Sequence, residues 1–307
     1  MRKPRALRPG DRLAVVAPAS PFDRPVFDRG IEELRALGFE PMFDSTVFER
    51  RAYVAGSMST RAAAFAAAWR DPSIAGIVAA RGGYGSAQLL PLLDSVAVRR
   101  EKKVLVGCSD VTSLLTFVTT GSGLVAFHGP MVVTLGAGED AYDRESLLGQ
   151  LTRPRPFGEI PTDGVEVLKR GRARGPLLGG TLTQLVASFG TPFAFRPPAG
   201  FVLLLDDVGE RPYRIDRMLT QLRQSGVLSR ACAVVCAEFP DCAEPRADLT
   251  ARSVIADRLA DFSGPVLFGL PTGHTAGRPM QTLPLGVDAT VDAAAAGRLI
   301  IEEAAVA

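Results

Sequence analysis

"KKVLVGCSDVTSLL", residues 102–115, runs from an apolar, strand-like stretch through Gly107-Cys108-Ser109-Asp110 into a stretch of helical character. A strand turning sharply into a helix is the repeating unit of a parallel sheet covered by helices, and in such folds the loops at the strands' carboxyl ends form the site. The corner here offers a hydroxyl, Ser109.

The same alternation extends outward on both sides. "RLAVVAPAS" reads as a first strand, and "RPVFDRGIEELRALGFEP" places Phe27, Ile31, Leu34 and Leu37 on one helical face before a stop at Gly38. "STRAAAFAAAWRD" reads as an Ala-rich helix capped by Ser59 or Thr60, "IAGIVAA" as the next strand, and "VLVGC" as another. Between about residues 136 and 174 the pattern weakens into a Gly-, Pro- and charge-rich stretch that reads as a connection between domains. A second apolar unit follows: "LLGGTLTQLVASFGTPF", the strand "GFVLLLDD", the helix "RIDRMLTQLRQSGVL" and the strand "ACAVVCAEF", with "ATVDAAAAGRLIIEE" expected to close as a hairpin. The expected division is therefore 1–136, a connection over 137–174, and 175–307. A chain of 307 residues is long enough for two cores of ordinary size.

Composition narrows the function. Lys plus Arg at 35 against Asp plus Glu at 33 gives a net charge of +2, too balanced to argue for nucleic acid, so a small molecule or peptide is the expected partner. The basic start holds only a short apolar run, and no stretch approaches the ~20 apolar residues of a membrane span, so a cytoplasmic protein without a membrane partner is expected. Cys108, Cys232, Cys236 and Cys242 lack C-x-x-C spacing, and only two histidines are present to complete a zinc site; buried free thiols and no metal or cofactor are the expectation.

A serine hydroxyl needs a base to take its proton and an acid to hold that base in the right tautomer. The histidines on offer are His128 in "FHGPM" and His274 in "PTGHTAG". His274, in a glycine-flanked loop, is the better placed to face a cleft, whereas His128 follows an apolar strand and reads as structural. "GCSDV" matches only half of the G-x-S-x-G elbow, because Val111 replaces the second glycine. Asp110 reads as a helix cap whose backbone N–H faces the site. Cys108 is a rival thiol, but nothing nearby in sequence lowers its pKa. "RGGYG", 81–85, follows a strand and offers backbone N–H groups to an oxyanion or a phosphate; it is not G-x-G-x-x-G, and no acidic residue stands about 20 residues on, which argues against a dinucleotide.

Taken together, "VVAPAS", "ARGGYGSAQLL", "VGCSDVTSLL", "FHGPM", "LLGGTLTQLVASFGTPF", "LLLDDVGERPYRIDRMLTQL", "AEFPDC" and "GLPTGH" resemble, in order and spacing, the LD-carboxypeptidase family of serine peptidases, which includes muramoyl-tetrapeptide carboxypeptidases and microcin-immunity relatives. The resemblance implies an α/β protein with a Rossmann-like or flavodoxin-like parallel-sheet domain at the N-terminus. The C-terminal domain would be α/β with a mostly β, swivelling-barrel-like sheet, and the protein is expected to be a homodimer. It also implies hydrolysis of the amide between an L-centre diamino acid and a terminal D-alanine in muropeptides, without a cofactor. The family nucleophile falls on Ser109 and the base on His274. The oxyanion donors fall on the amides of Asp110 and of the RGGYG loop, above all Gly83. Arg81, Gly82 and Thr181 become candidate substrate contacts, Arg81 for the leaving carboxylate.

The acid departs from the pattern, since the family has Glu where this chain has Asp206. Aspartate is one methylene shorter, and Asp207 and Glu210 are the alternatives, with structural readings as a backbone partner and an ion pair with Arg211 or Arg214. Thr181 stands where "GGNL" is commoner. A microcin-immunity-type amidase acting on a peptidyl-nucleotide would use the same nucleophile with an aromatic platform for the base. The single tryptophan, Trp69, sits on an expected helix of the first domain. A weakly catalytic binding homologue is the third expectation.

Overall fold

The fold is seen in a computed structural model that describes residues 1–244 and 248–307. The first five strands are β1 (Arg12–Val16), β2 (Glu40–Met42), β3 (Ile74–Ala79), β4 (Val104–Gly107) and β5 (Ala126–His128), and they pair in parallel in the order β2-β1-β3-β4-β5. That is the doubly wound order of a flavodoxin-like sheet, whose topological switch lies between β1 and β3. The loops leaving β1 and β3 there are Pro18–Ser20 and "RGGYG", so the glycine loop sits where such sheets form a crevice.

Burial follows from the two-sided covering. Every residue of β4 and β5 is buried, which is why β4 reads as an unbroken apolar run instead of an alternating one and why His128, at the end of β5, is enclosed. The helix Arg24–Ala36 packs with Phe27, Ile31 and Leu34 inward, as its 3.6-residue period requires, and Gly38 beyond it has φ +94°. The Ala-rich helix spans Met58–Arg70, and its cap is Ser57, whose side chain accepts from the Thr60 amide. The expected caps Ser59 and Thr60 lie inside the first turn.

The second sheet contains β6 (Gly158–Ile160), β7 (Glu166–Lys169), β8 (Arg172–Thr181), β9 (Phe201–Asp206), β10 (Ala231–Ala237) and β11 (Val266–Leu270). The chain then places β12 (Leu283–Leu285) back on the first sheet, antiparallel to β5, before β13 (Asp288–Asp292) and β14 (Arg298–Ile301) form the expected C-terminal hairpin of the second. The second sheet is mixed, in the order β6-β14-β13-β8-β9-β10-β11-β7, with β8 to β11 parallel. Residues 137–174, expected as a connection, carry the helix Arg144–Thr152 and strands β6 and β7, while residues 283–285 belong to the first sheet. Among the described residues no helix is long and apolar enough to cross a membrane.

Candidate active site

The turn after β4 is strained where the sequence places its hydroxyl. Ser109 has φ +59°, a left-handed conformation that costs a non-glycine residue energy and persists where surrounding structure imposes it. The RGGYG loop comes down on this corner. A Cβ added at Gly82 would stand 2.8 Å from Ser109 Cβ, 3.1 Å from its Oγ and 3.4 Å from the Asp110 amide nitrogen. Only glycine allows so close an approach.

The partners of Ser109 come from the second sheet. His274 Nε2 lies 3.2 Å from Ser109 Oγ, across 165 positions of sequence. His274 Nδ1 lies 2.9 Å from Asp206 Oδ2, and the His274 amide donates to Asp206 Oδ1 at 2.9 Å. An ionised carboxylate only accepts, so the proton rests on Nδ1 and Nε2 is left to accept from the serine. The carboxylate is fully buried, and the glycine before the histidine makes room for it: a Cβ at Gly273 would lie 2.4 to 2.6 Å from all three carboxylate atoms. The shorter acid therefore meets the histidine because the Gly273–His274 backbone is drawn onto it.

Electrostatics match the geometry. Burial alone raises the Asp206 carboxyl, but the hydrogen bond and charge of His274 hold it below the usual aspartate range. Burial pulls His274 down, and the hydrogen bond it donates to Asp206 together with the charges of Asp206 and Asp207 lifts it above its ordinary value. Asp207, one residue on along the extended chain, points the other way and accepts from the Thr183 amide and hydroxyl at 2.9 and 2.7 Å; burial pushes it up to about 6. Glu210 pairs with Arg214 at 3.5 Å. Neither touches His274, so of the three acids considered Asp206 alone joins the line.

Other residues land differently from their sequence readings. The Asp110 side chain does not cap its own helix; it accepts from the Ser86 amide at 2.8 Å and the Gly85 amide at 3.3 Å, and so locks the glycine loop to the serine corner. Thr181 is buried and lies opposite Asp206 in the β8–β9 ladder, its hydroxyl donating to Asp206 Oδ2 at 3.1 Å while its amide donates to Thr112 Oγ1. Its hydroxyl and amide are thus both engaged within the protein, the hydroxyl on Asp206. Gly83, with φ +101°, packs against Ser20. Arg81 is exposed, and its guanidinium donates to the Pro21 carbonyl at 2.5 Å without an ion pair among the described residues. His128 is fully buried, and burial takes its ring down to about 4, so it stays neutral. Burial likewise drives the Cys108 thiol upward and makes it a poor nucleophile.

Arg61 escaped the sequence reading. Buried within the Ala-rich helix, it donates to the Pro18 and Gly85 carbonyls and to Gln88 Oε1, bracing the loops at the switch point. An arginine directly before the alanine run of that helix was the available signal. Among the described residues no group of three or more His, Cys, Asp or Glu is placed to hold a metal.

Both halves of the chain that holds this constellation match known families. Residues 13–129 match the LD-carboxypeptidase N-terminal domain and residues 174–291 the LD-carboxypeptidase C-terminal domain. The chain belongs to the LD-carboxypeptidase family. Membership places it among the serine carboxypeptidases. A Streptomyces coelicolor protein, named only provisionally as a carboxypeptidase, is 40% identical over 95% of this chain and 93% of its own length. The murein tetrapeptide carboxypeptidase of Pseudomonas aeruginosa is 31% identical over 92% of this chain and 93% of its own. The microcin C7 self-immunity protein MccF, in complex with glutamyl sulfamoyl guanosine, shares the fold with a TM-score of 0.91 over all of both chains, at 23% identity.

Proposed function

We propose that the protein is a serine LD-carboxypeptidase that releases terminal D-alanine from muropeptides, with Ser109 as nucleophile, His274 as base and Asp206 as the orienting acid. The hydrogen-bonded line Ser109–His274–Asp206, assembled from the ends of two sheets, carries the reading. The murein tetrapeptide carboxypeptidase among its relatives supports the substrate class.

In this mechanism His274 Nε2 takes the hydroxyl proton as Ser109 Oγ attacks the carbonyl of the L-centred diamino acid. The amides of Asp110 and the RGGYG loop, Gly83 in particular, stabilise the developing oxyanion. His274 then returns the proton to the departing amine of D-alanine, leaving an ester on Ser109. Water, deprotonated by the same imidazole, hydrolyses that ester and restores the serine. Throughout, Asp206 keeps the Nδ1 proton in place and offsets the imidazolium charge. Arg81, exposed at the start of the glycine loop, would exchange its bond to the Pro21 carbonyl for the leaving carboxylate. A cytoplasmic place of work and a homodimeric state belong to this reading through the family resemblance.

The microcin-immunity alternative needs an aromatic surface for a base. Trp69 does not supply it, being buried and stacked on Phe65 at 5.5 Å. Tyr53 and Tyr84, exposed and paired at 5.3 Å beside the glycine loop, keep a peptidyl-nucleotide reading worth testing. The deciding experiment measures D-alanine release from a diaminopimelate-containing LD-tetrapeptide by the purified protein and its Ser109→Ala variant. Hydrolysis of a glutamyl sulfamoyl nucleotide is measured in parallel. Release lost in Ser109→Ala supports the carboxypeptidase. Nucleotide cleavage without D-alanine release moves the assignment to the amidase.

A further inference from the structure

The motif "AEFPDC" takes no part in the steps above, yet its glutamate reaches the loop that carries the base. His274 lies in "PTGHTAGRPM", between Gly273 and Gly277, and a Cβ added at Gly277 would meet nothing within 4 Å. Packing therefore does not hold this loop at that point. Polar contacts do: the Glu238 carboxylate, 11% exposed, accepts from the Ala276 amide through one oxygen and from Arg278 Nε through the other, both at 2.6 Å. Arg278 in turn donates to the Asp163 and Gly269 carbonyls, so its guanidinium is tied on every side.

The turn bearing Glu238 is itself fixed to the acid's side of the site. The Gly209 amide donates to the Pro240 carbonyl at 3.0 Å, and the Glu210 amide to Cys242 Sγ at 3.3 Å. Phe239 is buried and stacks on Phe268 at 6.2 Å. Phe239 and Asp241 have φ +54° and +58°, a left-handed conformation that two non-glycine residues keep only where their surroundings over-determine it. One rigid turn thus contacts both the loop following Asp206 and the loop containing His274.

We propose that Glu238 is a positioning residue: shared between the Ala276 amide and Arg278, its carboxylate holds the His274 loop so that the imidazole stands between Ser109 and Asp206. The inference rests on the reading of His274 as the base. It acts on where the ring sits and not on the affinity for substrate.

The test uses the full-length protein and its Glu238→Gln and Glu238→Ala variants, with two readouts. The first is kcat and KM for D-alanine release. The second is the Nδ1 proton of His274, observed through 15N-imidazole NMR in a chain with only two histidines, where a hydrogen bond to Asp206 gives a strongly downfield signal. The expected result for Glu238→Gln is a kcat lower by about ten- to hundredfold, the scale for a displaced catalytic group, with KM within about twofold and the His274 signal broadened or lost. A wild-type kcat with an unchanged His274 signal in Glu238→Gln overturns the proposal, as does a rise in KM alone. Should Glu238→Ala fail to fold, the near-isosteric glutamine variant still decides. Should the unmodified protein release no D-alanine, the substrate reading falls, while the NMR signal still tests the positioning of His274.

Discussion

Lengthening the acid by one methylene, Asp206→Glu, is expected to inactivate the enzyme, although glutamate is what the family resemblance places at this position. The extra carbon adds about 1.5 Å between backbone and carboxylate. Asp206 is fully buried, its two oxygens already accept from the His274 amide, His274 Nδ1 and the Thr181 hydroxyl, and the site of a Cβ on Gly273 is only 2.4 to 2.6 Å from the carboxylate. No space remains beyond the acid for the longer side chain, so either it folds back off-rotamer or it pushes the His274 loop away. Overpacking of this kind costs about 1–3 kcal/mol of stability. A shift of about 1 Å in the base costs about a hundredfold in rate, and loss of the tautomer-fixing contact up to about 10⁴. The assay is kcat/KM for D-alanine release beside a thermal melt. Activity in Asp206→Glu equal to or above that of the unmodified enzyme would refute the argument, because it would mean that the Gly273–His274 backbone is not fixed against the acid.

Ser109→Gly is expected to abolish D-alanine release while melting at or above the wild-type temperature, since a non-glycine residue in the left-handed region costs roughly 1 kcal/mol or more; a clearly lower melting temperature would contradict the strained corner. Thr181→Val removes a hydrogen bond to a charged acceptor worth about 1.5 kcal/mol and should lower kcat/KM about tenfold; an unchanged value would mean that the hydroxyl does not hold the acid. His128 has a folded pKa of about 4, below the ordinary histidine value of 6.5, so between these the unfolded chain binds the extra proton. Its contribution is present above pH 6.5 and is lost as pH falls towards 4, amounting to about 3 kcal/mol. Urea unfolding from pH 7 down to pH 4 should show a smaller loss for His128→Leu than for the unmodified protein, and an identical slope would remove His128 as its source.

Much of the site was legible because local rules bear on it. The apolar runs of β3 and β4 and the helical period of Phe27, Ile31 and Leu34 specify a helix-covered parallel sheet, since two-sided burial and a 3.6-residue stripe leave few other solutions. The scarcity of histidine and the glycines around His274 singled out one imidazole for the cleft, and the hydroxyl at the end of β4 marked its partner. The choice among Asp206, Asp207 and Glu210 lay beyond sequence. Neighbours on an extended chain face opposite ways, and which of them meets His274 depends on the register of β9 against β8 and on the path of a loop 68 residues distant.

The tertiary structure alone decided the other roles for the same reason. Asp110 has the composition of a helix cap, but the loop of Gly85 and Ser86 brings it two amides that its own helix does not. Thr181 reads in sequence as a candidate substrate contact, and its hydroxyl meets Asp206 because the two are paired across the ladder. "TLPL" carries no sign that β12 returns to the first sheet beside β5. Local sequence determines which stretches are strands and helices and which residues have chemistry to offer, because propensity and periodicity act over a few residues. Which of those residues meet is set by contacts between positions as much as 165 apart, and these exist only once both sheets have packed.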